Sequence, residues 1–206
     1  MFLVLEGIDG SGKSTQTKLL GDHVQKTLRK QVLLVREPGG TLLGESLRSI
    51  LLDSSEDLAP ETEMFLFMAA RSHLARTRIL PALAQGRVVI SDRYIWSTAV
   101  YQGIAAGNDP LEILRLGRIA APGLRIAKTF LLDVDPEDGF KRVKSPNRME
   151  AKGLELQKRV RRGFLELAKR PDSKIVVIDG RGTVAEVHRR IVASLPQRGW
   201  STCSSR

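Results

Sequence analysis

Five short, nearly continuous apolar runs recur along the chain: Phe2-Leu3-Val4-Leu5-Glu6, Val32-Leu33-Leu34-Val35, Val88-Val89-Ile90, Thr129-Phe130-Leu131-Leu132 and Lys174-Ile175-Val176-Val177-Ile178. A run without polar alternation is what a parallel strand covered on both faces requires. The longer stretches between the runs carry helical spacing, as in Leu19, Leu20, His23, Val24 and Thr27 at i, i+1, i+4, i+5 and i+8. Strands that alternate with helices in this way predict an α/β/α fold of three layers around a five-stranded parallel sheet. Helical spacing of apolar residues from Leu58 to Leu83 predicts one long helix that could supply either core or an interface. In such sheets ligands bind beyond the carboxyl ends of the strands. The segments to read for chemistry are therefore Gly7 to Thr15, Arg36 to Thr41, Asp92 to Tyr94, Asp133 to Pro136 and Asp179 to Gly182.

Composition narrows the class. The 206 residues are 42% apolar and 27% charged, with 18 Gly and 9 Pro, which excludes disordered and collagen-like chains. One compact domain over residues 1–196 is expected, followed by a flexible tail over 197–206. The longest stretch without Asp, Glu, Lys or Arg runs from Tyr94 to Asn108 and is too short and polar to span a bilayer. The first residues show no secretory signal pattern, and the single cysteine, Cys203, has no partner for an internal disulfide, so a reducing cytoplasm is expected.

The formal charge of +10 invites a nucleic-acid reading until its location is considered. Between Lys141 and Arg162 stand nine Lys or Arg against Glu150 and Glu155, so one segment holds most of the imbalance. That segment reads either as a solvated helix face or as a lid that closes on anionic phosphates. A nucleic-acid-binding ATPase is disfavoured, because the aromatic share is 5% and no basic stripe is interleaved with aromatics.

The most specific motif is Gly7-Ile8-Asp9-Gly10-Ser11-Gly12-Lys13-Ser14, a G-x-x-x-x-G-K-[ST] phosphate loop placed between a strand and a helix. Its glycines let successive backbone N–H groups point inward at a phosphate, and the helix N-terminus adds partial positive charge. Lys13 would reach the β- and γ-phosphates, and the Ser14 hydroxyl would sit on Mg²⁺. A flexible turn capped by Ser14 would explain the glycines but gives no reason for a lysine there. The chain is thus expected to be a P-loop NTPase that binds a nucleoside triphosphate with Mg²⁺. No Asn-Lys-x-Asp follows a later strand, which disfavours GTPases, and the length suits a small-molecule kinase.

Read together, several segments resemble the thymidylate kinases, in particular the bacterial type that carries its catalytic arginines on the lid. They are the phosphate loop with Asp9, Arg36-Glu37-Pro38-Gly39-Gly40-Thr41, Phe67-Met68-Ala69-Ala70-Arg71, Asp92-Arg93-Tyr94, and Ser97-Thr98-Ala99-Val100-Tyr101-Gln102-Gly103. The resemblance spans roughly Phe2 to Leu195. It implies ATP-dependent phosphorylation of thymidine 5′-monophosphate to the diphosphate, in deoxythymidine triphosphate biosynthesis, by a homodimer that binds neither membrane nor specific nucleic acid. ATP would lie on Gly7 to Thr15. Asp92 would hold Mg²⁺, directly or through water, together with Ser14 and Asp9, although an N-cap role for Asp92 is an equal alternative on sequence alone. Arg93 and Arg48 would clamp the acceptor phosphate, and Glu37-Pro38 would form a turn beside it. Phe67 and Arg71, four residues apart on one helix face, would stack on the base and donate to its carbonyl, assisted by Ser97, Thr98 and Gln102. Tyr101 would crowd the sugar C2′, and Asp9 would contact the 3′-hydroxyl. Ile8, Asp9, Gly10 and Ser11 include no base, so Arg142, Lys144 and Arg148 in a lid over about 141–153 are the candidates for the transition-state charge. Asn147 departs from the acid that usually precedes the arginine of this motif.

Overall fold

The computed structural model describes residues 1–143, 148 and 153–196. Five strands, β1 (Phe2–Gly7), β2 (Val32–Arg36), β3 (Val88–Asp92), β4 (Lys128–Asp133) and β5 (Ile175–Asp179), form one parallel sheet in the order β2-β3-β1-β4-β5. Each expected apolar run lies on a strand. β5 begins one residue late, because Lys174 takes a left-handed φ of 54° that a strand does not accommodate.

The helices are α1 (Lys13–Lys26), α2 (Leu42–Asp53), α3 (Pro60–Leu74), α4 (Leu80–Ala84), α5 (Ile95–Thr98), α6 (Pro110–Ala120), α7 (Pro136–Arg142), α8 (Leu154–Ala168) and α9 (Val184–Ala193). Alternate strand residues feed two cores. Leu3, Leu5, Ile90, Phe130 and Leu132 pack with Leu20 and Val24 of α1 and Val187 and Ile191 of α9. Val4, Val89 and Leu131 face Leu74, Ile113, Val160 and Phe164. Both faces of the central strands are therefore dry, which is why those strands carry no polar alternation.

The helical pattern from Leu58 to Leu83 is interrupted. It begins at Pro60, in the first turn where a missing N–H costs nothing, and passes through a π-helical turn at Ala75–Ile79 before α4. Pro81 lies just beyond that turn. It has no N–H to donate and its ring collides with the preceding turn of an α-helix, a conflict that the wider π turn relieves. Among the described residues no helix is long and apolar enough to cross a membrane.

Candidate active site

β1 occupies the centre of the sheet, and its two neighbours, β3 and β4, lead to opposite sides of it. The loop after β1 therefore opens at a topological switch point. Gly10 within this loop has a φ of 72°, and a Cβ there would stand 2.0 Å from the Gly139 carbonyl oxygen of α7. The glycine is thus required by the approach of α7 as well as by the turn.

Lys13 is buried and folds back on the loop, donating to Ile8 O at 2.6 Å and Ser11 Oγ at 3.3 Å. Burial, reinforced by the nearby Arg93 cation, pulls its pKa down to about 8, against the pull of Asp9, Asp92 and Glu6. Ser14 donates its hydroxyl hydrogen bond to Asp92 Oδ2 at 2.5 Å. A hydroxyl and a carboxylate side by side at the carboxyl edge of the sheet are hard oxygen donors of the kind Mg²⁺ prefers. Thr15 is exposed on α1.

Asp9, expected beside Ser14 and Asp92, turns elsewhere. Its carboxylate pairs with Arg93 and accepts from Tyr101 Oη at 3.0 Å and Gln157 Nε2 at 2.8 Å. Burial opposes its charge, but Arg93, Lys13 and these hydrogen bonds prevail and hold its pKa below the usual value.

Arg93 adopts a left-handed φ of 69° and donates through Nη1 to Gly7 O at 3.0 Å and Ser97 Oγ at 2.9 Å. Arg48, on α2, is half-buried and donates to Pro38 O at 3.0 Å; the Glu37-Pro38 bond is cis. Arg71 is 1% exposed, with its guanidinium 4.9 Å from the centroid of the Tyr94 ring. Its Nε and Nη2 lie 2.8 and 2.7 Å from Glu37 Oε2, and Nη2 also reaches Thr98 Oγ1 at 3.1 Å. Burial pushes Glu37 up to about 7, with the Arg71 charge opposing it.

These groups surround one cleft of about 260 Å³. Gly10, Lys13, Ser14 and Asp92 line its phosphate-loop side, while Arg48, Phe67, Arg71, Arg93, Tyr101 and Gln102 line the other. Of the expected basic residues, Arg142 reaches Gly10 O at 3.4 Å. Arg148 is held at the end of α2. It donates to Leu51 O at 3.0 and 2.9 Å and pairs with Glu63 at 2.7 Å, because the carbonyl end of α2 and a buried carboxylate together attract a guanidinium. Lys144 and Asn147, most of the expected lid and the tail lie outside the described residues.

Sequence reasoning missed Glu6, Glu63 and Gln157. Glu63 accepts from Gln102 Nε2 at 2.8 Å, and Gln157 bonds Asp9 through both its amide ends. The available signal was a polar side chain on a face otherwise buried, such as Gln157 beside Leu156 and Val160.

The phosphate loop, the parallel sheet and a second arginine-lined site in the same cleft define a P-loop kinase. The family model described as "Thymidylate kinase" matches residues 5–191. The chain is 41% identical over 198 residues to a thymidylate kinase of Caldanaerobacter subterraneus, covering 95% of each chain. It is 42% identical over 206 residues to one of Desulfosudis oleivorans, covering 95% of this chain and 96% of the relative. The crystal structure of a thymidylate kinase from Ehrlichia chaffeensis superposes with a TM-score of 0.75 at 34% identity, covering 94% of this chain and 97% of that one. The chain belongs to the thymidylate kinase family.

Proposed function

We propose that the protein transfers the γ-phosphoryl group of ATP to thymidine 5′-monophosphate within this cleft, yielding the diphosphate for deoxythymidine triphosphate synthesis. The observation that carries the reading is the continuity of the cleft. Lys13 and Ser14 on one side and Arg48 and Arg93 on the other bound the same space, so two phosphates can be brought in line.

On the donor side, backbone N–H groups from Gly7 to Thr15 and the Lys13 ammonium hold the phosphates, and Arg142 reaches over from α7. Ser14 and Asp92 are the residues that fit Mg²⁺, which when bound neutralises charge on the β- and γ-phosphate oxygens. Asp9 keeps Arg93 in place through its ion pair and, through the same carboxylate, faces the sugar 3′-hydroxyl. On the acceptor side, Nη1 of Arg93 is spent on Gly7 and Ser97, which leaves Nε–H and the second Nη2–H for the phosphate. Phe67 stacks on the base, Arg71 and Gln102 address its polar edge together with Thr98, and Tyr101 crowds C2′; Ser97, expected at the base edge, has its hydroxyl engaged with Arg93 and Glu6 instead. Glu37 and Pro38 shape the floor beneath Arg71. Arg148, held by Glu63 and Leu51, is assigned no phosphate contact in this arrangement. The acceptor phosphate is ionised near neutral pH, so the reaction needs positioning and charge neutralisation more than a general base.

The same reading places residues 1–196 in one nucleoside monophosphate kinase domain with a lid at about 141–153, acting in the cytoplasm as a homodimer. The dimer is supported by Phe65 of α3 and Ile119 of α6, which are 61% and 65% exposed on two helices that pack together. A coupled assay of nucleoside diphosphate formation over a panel of monophosphates tests the activity. Preference for a purine monophosphate would overturn it.

A further inference from the structure

Glu6 is a charged residue, the next to last of a strand whose every residue is buried, and its own exposure is 0%. A buried carboxylate persists only where donors and a cation compensate it. Oε1 accepts from the Tyr94 N–H at 2.9 Å and the Ser97 N–H at 3.2 Å, and Oε2 accepts from the Ser97 hydroxyl at 2.6 Å. Ser97 Oγ in turn accepts from Arg93 Nη1 at 2.9 Å. Burial pushes the Glu6 carboxyl up, and the Arg93 charge together with these hydrogen bonds opposes that.

The turn after β3 is tied to β1 at both its backbone and its side chains. Tyr94, the residue that precedes α5, offers it no side-chain cap, and Glu6 of β1 accepts from the Tyr94 and Ser97 N–H groups at the start of that helix. Arg93 occupies the left-handed region, a strained conformation for a residue with a side chain, and its N–H is fixed to Leu5 O at 2.9 Å. Glu6 is the next residue along the same strand. One edge of β1 therefore grips both the backbone and, through Ser97, the guanidinium of Arg93.

We propose that Glu6 is a positioning residue for the acceptor site: it orients the Ser97 hydroxyl as an acceptor for Arg93 Nη1, so that the remaining guanidinium donors point at the acceptor phosphate. The inference rests on the kinase reading above. A merely structural Glu6 would act as a cap, and its loss would lower stability and scale turnover without favouring either substrate. A positioning Glu6 acts on one substrate.

The test is the Glu6→Gln variant alone and combined with Ser97→Ala. Glutamine retains an oxygen for the two backbone N–H groups, but its amide donates where the carboxylate accepted, so Ser97 loses the partner that aimed its hydroxyl. The expected result is a KM for thymidylate raised about tenfold, the scale of one weakened charge-assisted hydrogen bond, with the KM for ATP changed less than about twofold. In the Ser97→Ala background the Glu6→Gln change should have little further effect, since both act through the same hydroxyl. Ser97→Ala alone leaves the backbone cap in place and should reproduce the rise in KM even if Glu6→Gln fails to fold. Equal changes in both KM values, multiplicative effects of the two substitutions, or an unchanged thymidylate KM in Ser97→Ala would each overturn the proposal. Failure of the wild-type protein to phosphorylate thymidylate would instead overturn the reading on which it rests.

Discussion

The Ser14 hydroxyl oxygen lies 2.5 Å from Asp92 Oδ2, so the second residue of α1 meets the last residue of β3 at the mouth of the cleft. The two come from elements 78 residues apart and present adjacent oxygen donors where the phosphate loop ends. Asp92→Asn keeps the hydrogen bond to Ser14 but removes the charge. It is expected to raise the Mg²⁺ concentration for half-maximal activity by about 10- to 100-fold, the range for losing an anionic contact near a metal. Titration of activity against Mg²⁺ at saturating ATP and thymidylate checks this. An unchanged midpoint would leave Asp92 as a structural partner of Ser14 alone, since the residue preceding α5 is Tyr94 and Asp92 does not cap that helix.

Lys13 carries a second consequence of burial. Its pKa near 8 lies below the ordinary lysine value because the ammonium is desolvated and close to Arg93. A polyphosphate placed beside it favours the charged form and raises the pKa again, so binding takes up protons when the solution lies above the depressed value. ATP binding at about pH 8.5 should therefore show proton uptake that fades toward about pH 6.5. Calorimetry in two buffers of different ionisation enthalpy measures it. Lys13→Arg, whose guanidinium does not deprotonate, should abolish the uptake.

The parts of the molecule that were legible in the sequence are those governed by short-range rules. Phe2 to Glu6 and Thr129 to Leu132 read as strands because both faces of the sheet are buried, and Gly7 to Ser14 reads as a phosphate loop because backbone geometry demands glycine at fixed offsets. Phe67 and Arg71 could be paired by helical spacing alone. What could not be read were contacts between side chains brought together only by the sheet order: Glu6 with Ser97, 91 residues on, and Asp9 with Gln157, 148 residues on. Arg148 illustrates the same limit. Its charge suited a phosphate, but the buried Glu63 and the carbonyl end of α2 offered a competing anionic site that spacing does not reveal.

That placement separates two arginines that the sequence grouped together. Arg142 is exposed and touches Gly10 O, so Arg142→Ala should lower kcat without moving the melting temperature. Arg148→Ala removes hydrogen bonds to a buried carboxylate and a helix carbonyl. It should cost about 1–3 kcal/mol of stability, or roughly 2–4 °C in Tm for each kcal/mol, and Glu63→Gln should recover part of the loss. Thermal unfolding and steady-state kinetics on the same samples distinguish the two. A larger kcat loss in Arg148→Ala than in Arg142→Ala would return Arg148 to the transition state.

Glu37 gives a pH dependence whose sign can be stated. Its native pKa, pushed from 4.5 to about 7 by burial, means that the folded protein binds more protons than the unfolded chain between those values. The contribution of this group to stability therefore falls as pH rises through that window and is flat on either side. The unfolding free energy of the wild type minus that of Glu37→Gln should decline across the window. Denaturant titrations at its two ends check this, and a difference independent of pH would mean that Glu37 titrates normally.

The last relationship concerns the base. Three of the contacts of Arg71 are to oxygen, but Nη1 faces Met68 Sδ at 3.4 Å, a weak acceptor that a carbonyl oxygen would improve upon. The O4 carbonyl of thymine supplies such an oxygen, whereas cytosine presents an amine at the same place and sets donor against donor. A buried guanidinium deprived of that bond loses about 1.5–3 kcal/mol, which places deoxycytidylate roughly ten- to more than a hundredfold below thymidylate in kcat/KM. Deoxyuridylate keeps O4 and gives up one methyl, worth about 0.8 kcal/mol or roughly fourfold, so it should fall between them. Ribothymidylate should be disfavoured by contact with Tyr101. Arg71→Lys preserves a cation beside the buried Glu37 but loses the planar fork, so it should narrow the gap between thymidylate and deoxycytidylate chiefly by lowering thymidylate activity. The ratio of the two kcat/KM values within one variant does not depend on the folded fraction, so partial unfolding of Arg71→Lys would not disguise the result. A ratio equal to that of the wild type would show that Arg71 supports Glu37 and Tyr94 without reading the base.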